Sequence, residues 1–233
     1  MEFAHIAARA GASEVTVLEM MKRPLGNFDP DMVDLLVEAT DKMGISLQTE
    51  AKVLKIERSG KAFLVTFETP AGTKQVSCDV VVHGTGRVPN IEQLNLTTAG
   101  VEFGRRGKNL IAGKDARAVA YPPIPSVVFT LPQLATVGLS EAEATEKGLD
   151  FDVHFEKTAN WYSSMRVGAK RTAFKVLVEQ ETGLILGAHL IGPGAEEQIN
   201  LFAMAMGAGL TANKIKAMIF AYPSFASVIG SMV

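Results

Sequence analysis

The chain has 233 residues, enough for one large domain or two ordinary ones. Its formal net charge of −2 comes from 23 basic and 25 acidic residues scattered along the sequence, which offers no basic surface for nucleic acid. No apolar run is long enough to span a bilayer, and Met1-Glu2-Phe3-Ala4-His5 lacks the basic-then-apolar order of a secretory signal. Cys78 is the only cysteine, so no intrachain disulfide forms and a reducing cytosol is the natural compartment.

Residues 2–10 read as a helix with Phe3, Ile6 and Ala7 on one face and Gly11 as its stop. Val15-Thr16-Val17-Leu18 is a short strand with Glu19 at its carboxyl end. Asp29-Pro30 opens a second helix, since Asp caps and Pro suits the first helical position. Met32, Val33, Leu36 and Val37 form its apolar stripe, Gly44 closes it, and Ile45-Ser46-Leu47 is the next strand. From Lys52 to Cys78 the apolar period changes to two. Val53, Leu54, Ile56, Phe63, Val65, Phe67 and Val76 suggest a three-stranded meander, turning at Ser59-Gly60 and Pro70-Ala71-Gly72. Asp79-Val80-Val81-Val82 then reads as a buried parallel strand.

Residues 104–124, rich in Gly, Arg and Pro, read as a boundary. Beyond it Ser126–Thr130 is a strand, and Ser140-Glu141-Ala142-Glu143 is a capping box. Strands follow near 151–156, 172–179 and 184–191, with Gly183 in a hairpin turn, and helices near 195–207, 212–220 and 224–232. Cys78 reads as a structural strand residue, with no second thiol and no adjacent base. His5, His83, His154 and His189 show no metal-ligand spacing. Trp161, Tyr162 and Arg166 read as packing residues rather than a stacking site.

The strand at 79–82 runs into His83-Gly84-Thr85-Gly86-Arg87-Val88-Pro89-Asn90. Glycines at a strand's carboxyl end let backbone or ligand come close, at the edge where open α/β sheets bind ligands. This stretch resembles the end of the nucleotide domain in the pyridine nucleotide–disulfide oxidoreductases, the flavin-dependent family of glutathione reductase, dihydrolipoamide dehydrogenase and mercuric reductase. The segments 125–138, 182–189 and 195–200 resemble that family's interface domain.

The resemblance implies α/β plus α+β: an incomplete Rossmann-like nucleotide domain over 1–107, a linker or flavin-domain remnant over 108–124, and a dimerisation domain over 125–233. It implies NAD(P)H as cofactor, with FAD as the family's flavin. Glu19 would accept hydrogen bonds from the adenosine ribose and favour NAD, although Lys22 and Arg23 could instead attract a 2′-phosphate. Glu2 matches an acid near the nicotinamide, or else serves the helix dipole. Gly84, Gly86 and Arg87 would line the cofactor edge.

Against the family pattern the sequence lacks the flavin domain with its G-x-G-x-x-G loop, the redox cysteine pair, the nicotinamide phosphate loop before Glu2, and the returning Gly-Asp segment. Val101–Gly107 runs almost directly into Lys108-Asn109-Leu110-Ile111, as after an internal deletion. Where relatives that reduce disulfides carry His-Pro-Thr and a following Glu, this chain has Tyr222-Pro223-Ser224-Phe225-Ala226-Ser227. A phenol of pKa about 10 is a poor proton shuttle at neutral pH. The functional expectation is an NAD(P)H-dependent flavin oxidoreductase in a truncated form that is not competent alone and does not hold FAD tightly. The alternative is a non-catalytic dimerisation module or a decayed gene product. A homodimer is expected, formed through apolar residues too numerous for one buried stripe: Ile199, Leu201, Phe202, Met204 and Met206, then Met218, Ile219, Phe220 and Phe225.

Overall fold

A computed structural model of the chain describes residues 1–86, 90–96, 98 and 121–233. These fall into two compact units, Met1–Ile56 with Val65–Val76 and Pro122–Val233, and Glu57–Leu64 with Ser77–Tyr121. Most of the segment 108–124, expected as a linker or flavin-domain remnant, lies outside the described residues.

The first helix, α1 (Glu2–Arg9), ends where Gly11 takes a φ of +96°, which a Cβ would oppose. Its predicted apolar face is turned outward. Phe3 and Ile6 are 69% and 58% exposed, while His5 is completely buried. The inversion has a polar cause, because His5 meets hydrogen-bond partners from two other segments, Thr40 and Leu131.

Strands β1 (Val15–Leu18) and β2 (Ile45–Gln48) pair in parallel, Val15 opposite Ile45 and Leu18 opposite Gln48. A parallel pair needs a crossover, and α2 (Pro30–Lys42) supplies it. Asp29 caps α2, accepting from the backbone N–H groups of Asp31 and Met32, with Pro30 in the first turn. The buried face of α2 is Met32, Val33, Leu35 and Leu36, which packs with Val128, Leu134, Ala173 and Ile191. The two halves of the sequence therefore share one apolar cluster.

The meander forms as β3 (Lys52–Ser59), β4 (Ala62–Thr69) and β5 (Gly72–Cys78), in that order. Only β4 carries fully buried apolar side chains, Val65 and Phe67. The strand expected at Asp79–Val82 is not formed: residues 79–86 pair with no strand, and Val80 and Val82 are 71% and 62% exposed. An apolar run becomes a parallel strand only when neighbours satisfy its backbone, and among the described residues the parallel sheet is the two-stranded β1–β2 pair.

The C-terminal half builds one antiparallel sheet from β6 (Ser126–Val128), β7 (Leu134–Gly138), β8 (Phe151–Lys157), β9 (Ala173–Glu179) and β10 (Ile185–Ile191), ordered β6-β7-β10-β9-β8. Strand β7 escaped the sequence reading, although it pairs with both β6 and β10. Gly138 and Gly187 face each other in its register. A Cβ on Gly187 would lie 2.0 Å from the Leu139 carbonyl oxygen, so this pairing tolerates no side chain there.

The capping box forms as predicted at α3 (Glu141–Glu146), followed by the short α4 (Tyr162–Met165) and by α5 (Ala195–Gly207). α6 spans only Ala212–Lys216, and the last predicted helix is a 3-10 segment, Phe225–Ser231. Ile199 and Phe202 of α5 are buried against the sheet in this domain's own core, which corrects their reading as interface residues. Met204, Met218 and Ile219 stay outside, 63%, 44% and 99% exposed.

Candidate functional site

The parallel pair β1–β2 continues past its formal ends. The Glu19 N–H donates to the Gln48 carbonyl, Glu50 N–H to Met21, and Ala51 N–H to Glu19, at 2.8, 3.0 and 2.9 Å. This zipper fixes the 19–21 loop at the carboxyl end of the pair, where open α/β sheets place ligands. Glu19 is half-buried, and its Oε1 accepts from the Met21 N–H at 2.9 Å. Beside it opens a recess of about 590 Å³. Met20, Met21 and Lys22 form one wall, Glu50 and Lys52 the next, and Glu68, Thr69 and Pro70 at the end of β4 the last. The two lysines and two glutamates of its lining balance one another, so the lining itself carries no strong single-sign field.

Glu2 does not line this recess. Its Oε1 accepts from the Phe129 N–H at 2.7 Å, tying α1 to the residue after β6. His5 makes a second tie. Thr40 Oγ1 donates to the Leu36 carbonyl at 2.8 Å, so it accepts from His5 Nε2–H at 3.0 Å. The His5 Nδ1 then carries no proton and accepts from the Leu131 N–H at 3.2 Å. Burial lowers the His5 pKa from its usual 6.5, the nearby N-terminal charge lowers it further, and the Leu131 N–H, which donates to the Nδ1 lone pair, also favours the neutral ring.

A charged cluster that the sequence reading missed lies on the shared core. The Lys175 ammonium, on β9, reaches Asp29 Oδ2 at 3.0 Å, Asp31 Oδ2 at 2.5 Å and Glu141 Oε2 at 3.0 Å. Its side chain is 4% exposed and that of Asp29 is wholly buried. Burial pulls the Lys175 pKa down, but hydrogen bonds to Asp31, Glu141 and Asp29 outweigh it and hold the group well above the ordinary lysine range. The only sequence signal was a Lys inside an otherwise apolar strand, Ala173–Val178. Nearby, His189 Nε2 donates to the Leu139 carbonyl at 3.1 Å, and its Nδ1 accepts from Thr136 Oγ1 at 2.6 Å. Burial lowers its pKa as well.

Gly84 and Gly86 belong to the second unit. Gly86 has a φ of +100°, and a Cβ at either glycine would meet open space. The positive φ makes a conformational case for glycine at Gly86 alone, and among the described residues close packing makes none at either position. Arg87 lies outside the described residues. Trp161, Tyr162 and Arg166 pack as expected: Trp161 tilts on Phe174 and donates to Glu156, Tyr162 stacks on Tyr222 at 5.9 Å, and Arg166 sits over the Phe225 ring. Tyr222 is 74% exposed.

Comparison with known proteins bears on this arrangement. The profile described as "Pyridine nucleotide-disulphide oxidoreductase" matches residues 1–114, and that of the same family's dimerisation domain matches residues 124–233. The chain belongs to the pyridine nucleotide–disulphide oxidoreductase family. An uncharacterised 19.7 kDa protein of a mercuric resistance operon in Staphylococcus aureus is 42% identical over 125 residues, covering 54% of this chain and 69% of its own. A dihydrolipoyl dehydrogenase from the same species is 30% identical over 250 residues, covering 91% of this chain and 53% of its own. The chain thus spans about half the length of the dehydrogenases it matches. Among solved structures, the HOCl-induced flavoprotein disulfide reductase RclA of Escherichia coli superimposes with a TM-score of 0.85 at 24% identity, over 99% of this chain and 61% of that one. LpdA of Mycobacterium tuberculosis gives 0.85 at 21% identity, over 99% and 58%. These structures establish the fold alone. Within the described residues no helix is long and apolar enough to cross a membrane.

Proposed function

We propose that the chain supplies the nicotinamide-nucleotide and interface parts of an NAD(P)H-dependent flavin oxidoreductase that works as a cytoplasmic homodimer. In this reading residues 1–107 carry the nucleotide site, 108–124 connect, and 125–233 pair with a second copy. The observation that carries it is the recess at the carboxyl end of β1–β2, lined by Met20, Met21 and Lys22, the residues that directly follow Glu19. A ribose offers two adjacent hydroxyls, and a carboxylate whose Oε1 is steadied by the Met21 N–H accepts from them without reorganising. That favours NAD(H) over NADP(H), because a 2′-phosphate would meet the Glu19 charge. Gly84, Gly86 and Arg87 are assigned to the cofactor edge. Glu2 is assigned to holding α1 through Phe129, with its second oxygen left for the nicotinamide side.

The recess suits the adenosine end of the dinucleotide, whose ring needs apolar cover such as Met20 and Met21 provide. Nicotinamide supplies hydride, which in this class passes to FAD and then to an acceptor. No described residue is assigned to FAD. Calorimetric titration with NADH and NADPH tests the reading. NADH should bind more tightly, and Glu19→Gln should narrow the difference. Tighter NADPH binding that depends on Lys22 or Arg23 overturns it.

A further inference from the structure

The chain holds ten methionines, and their exposures range widely. Met32 is fully buried and Met232 is 6% exposed, whereas Met20, Met21, Met165, Met204 and Met218 are 66%, 61%, 59%, 63% and 44% exposed. Of the exposed ones, only Met20 and Met21 line the recess. Two adjacent exposed thioethers in the wall of a ligand site are unusual, because a solvent-facing Met gives up apolar burial and gains nothing a polar residue would lack. The Met21 backbone is fixed at both ends: its N–H holds the Glu19 carboxylate and its carbonyl accepts from Glu50. A chemical change at the side chain therefore acts on a wall that cannot easily move away.

We propose that Met20 and Met21 form an oxidation-sensitive pair, and that their conversion to sulfoxides by a peroxide-class oxidant weakens nucleotide binding in the recess. This rests on the reading that the recess takes the adenosine end of a dinucleotide. In the reaction a sulfur lone pair attacks one oxygen of hydrogen peroxide. The S–O bond forms as the O–O bond breaks, the other oxygen leaves as hydroxide, and a proton transfer yields water. The sulfur is oxidised by two electrons and the peroxide is reduced by two. The product is a polar, bulkier sulfoxide where an apolar ring was to pack, and methionine sulfoxide reductases restore the thioether.

The test uses the full chain treated with hydrogen peroxide, freed of oxidant, and titrated with NADH, while peptide mass mapping locates the added oxygens. Met20 and Met21 should each gain one oxygen and Met32 none. Oxidised protein should bind NADH about tenfold more weakly than the same protein before oxidation, equivalent to about 1.4 kcal/mol. In a Met20→Leu/Met21→Leu variant the ratio between oxidised and unoxidised protein should stay near one, although Met165, Met204 and Met218 still oxidise. The ratio is read within each protein, so any change in the variant's starting affinity does not enter. Binding that survives oxidation of Met20 and Met21, or an equal loss in the Leu variant, overturns this proposal alone. A protein that binds no NADH before oxidation overturns the recess reading and this proposal with it.

Discussion

Replacing Lys175 with Met tests the cluster on which the two sequence halves meet. Met keeps the length and apolar stem of Lys but removes the ammonium. Of the three carboxylates around it, the side chains of Asp31 and Glu141 are 50% and 48% exposed and can turn to water. Their loss of a partner should cost little, since exposed pairs contribute about 0–1 kcal/mol. Asp29 differs, because its side chain is completely buried. Its Oδ1 is committed to the α2 cap, and its Oδ2 faces the Lys175 ammonium 3.0 Å away. Without the cation a carboxylate stays in a dry site, and breaking such a pair costs about 3–5 kcal/mol. That is a large part of the ~5–15 kcal/mol that typically separates folded from unfolded domains. Urea unfolding followed by the emission of Trp161, the single tryptophan, reads the effect in the C-terminal sheet. The double variant Lys175→Met/Asp29→Asn supplies the internal check. An amide keeps the capping oxygen and discards the charge, so the double variant should be more stable than Lys175→Met by at least about 1 kcal/mol. A Lys175→Met protein within about 1 kcal/mol of wild type, or no recovery on adding Asp29→Asn, would refute the argument.

Acid should weaken the fold earlier than carboxylate titration alone would. His5 and His189 have folded pKa values below their usual 6.5, so the unfolded chain takes up protons first. Their contribution is complete above about pH 6.5 and falls as pH drops below it, by up to about 1.4 kcal/mol per pH unit per histidine. A urea midpoint that stays level or rises from pH 7 to pH 5 would contradict this. A further loss at lower pH belongs to Glu143, which the Ser140 backbone N–H and hydroxyl hold below the usual 4.5. Gly187→Ala should destabilise by about 1–3 kcal/mol, because its Cβ would sit 2.0 Å from the Leu139 carbonyl oxygen; thermal melting of that variant gives the answer directly. Ile219→Asp tests pairing, since a side chain 99% exposed contributes almost nothing to the fold of one chain. Sedimentation should show wild-type dimers and variant monomers of unchanged thermal stability. Wild-type monomers at tens of micromolar would remove the homodimer from the proposed function. Phe202→Asp cannot serve this purpose, because Phe202 is core.

What the sequence made legible was what neighbouring residues decide among themselves. Asp29-Pro30 announced a capped helix, Ser140 and Glu143 a capping box, and Gly60, Gly72 and Gly183 the turns, and each formed because its partners lie within a few positions. Glu19 was legible for the same reason, as the residue after a short strand. Periodicity failed where distant segments set the environment. The pattern at α1 put Phe3 and Ile6 inward, yet His5 is the buried residue, because Thr40 and Leu131 offer it hydrogen bonds across 35 and 126 positions of sequence. The apolar run at 79–82 looked like a buried strand, but a run of valines carries no information about whether a neighbour pairs with it. Lys175 sits inside the apolar strand β9 because Asp29, 146 residues earlier, and Glu141 surround it, and nothing beside it in the sequence announces either partner. The site divides along the same line. Glu19 and the meander turn that closes the recess are local, whereas the attachments that hold this half of the chain in place, Glu2 to Phe129, His5 to Leu131 and Asp29 to Lys175, all cross from one family segment to the other. Each of the three joins an ionisable side chain to a group more than a hundred positions away. The recess beside Glu19 therefore belongs to a half of the chain that is tied to the sheet of the dimerisation segment. If it takes NADH as proposed, Lys175→Met or His5→Ala should weaken NADH binding in a calorimetric titration without changing any residue of its lining.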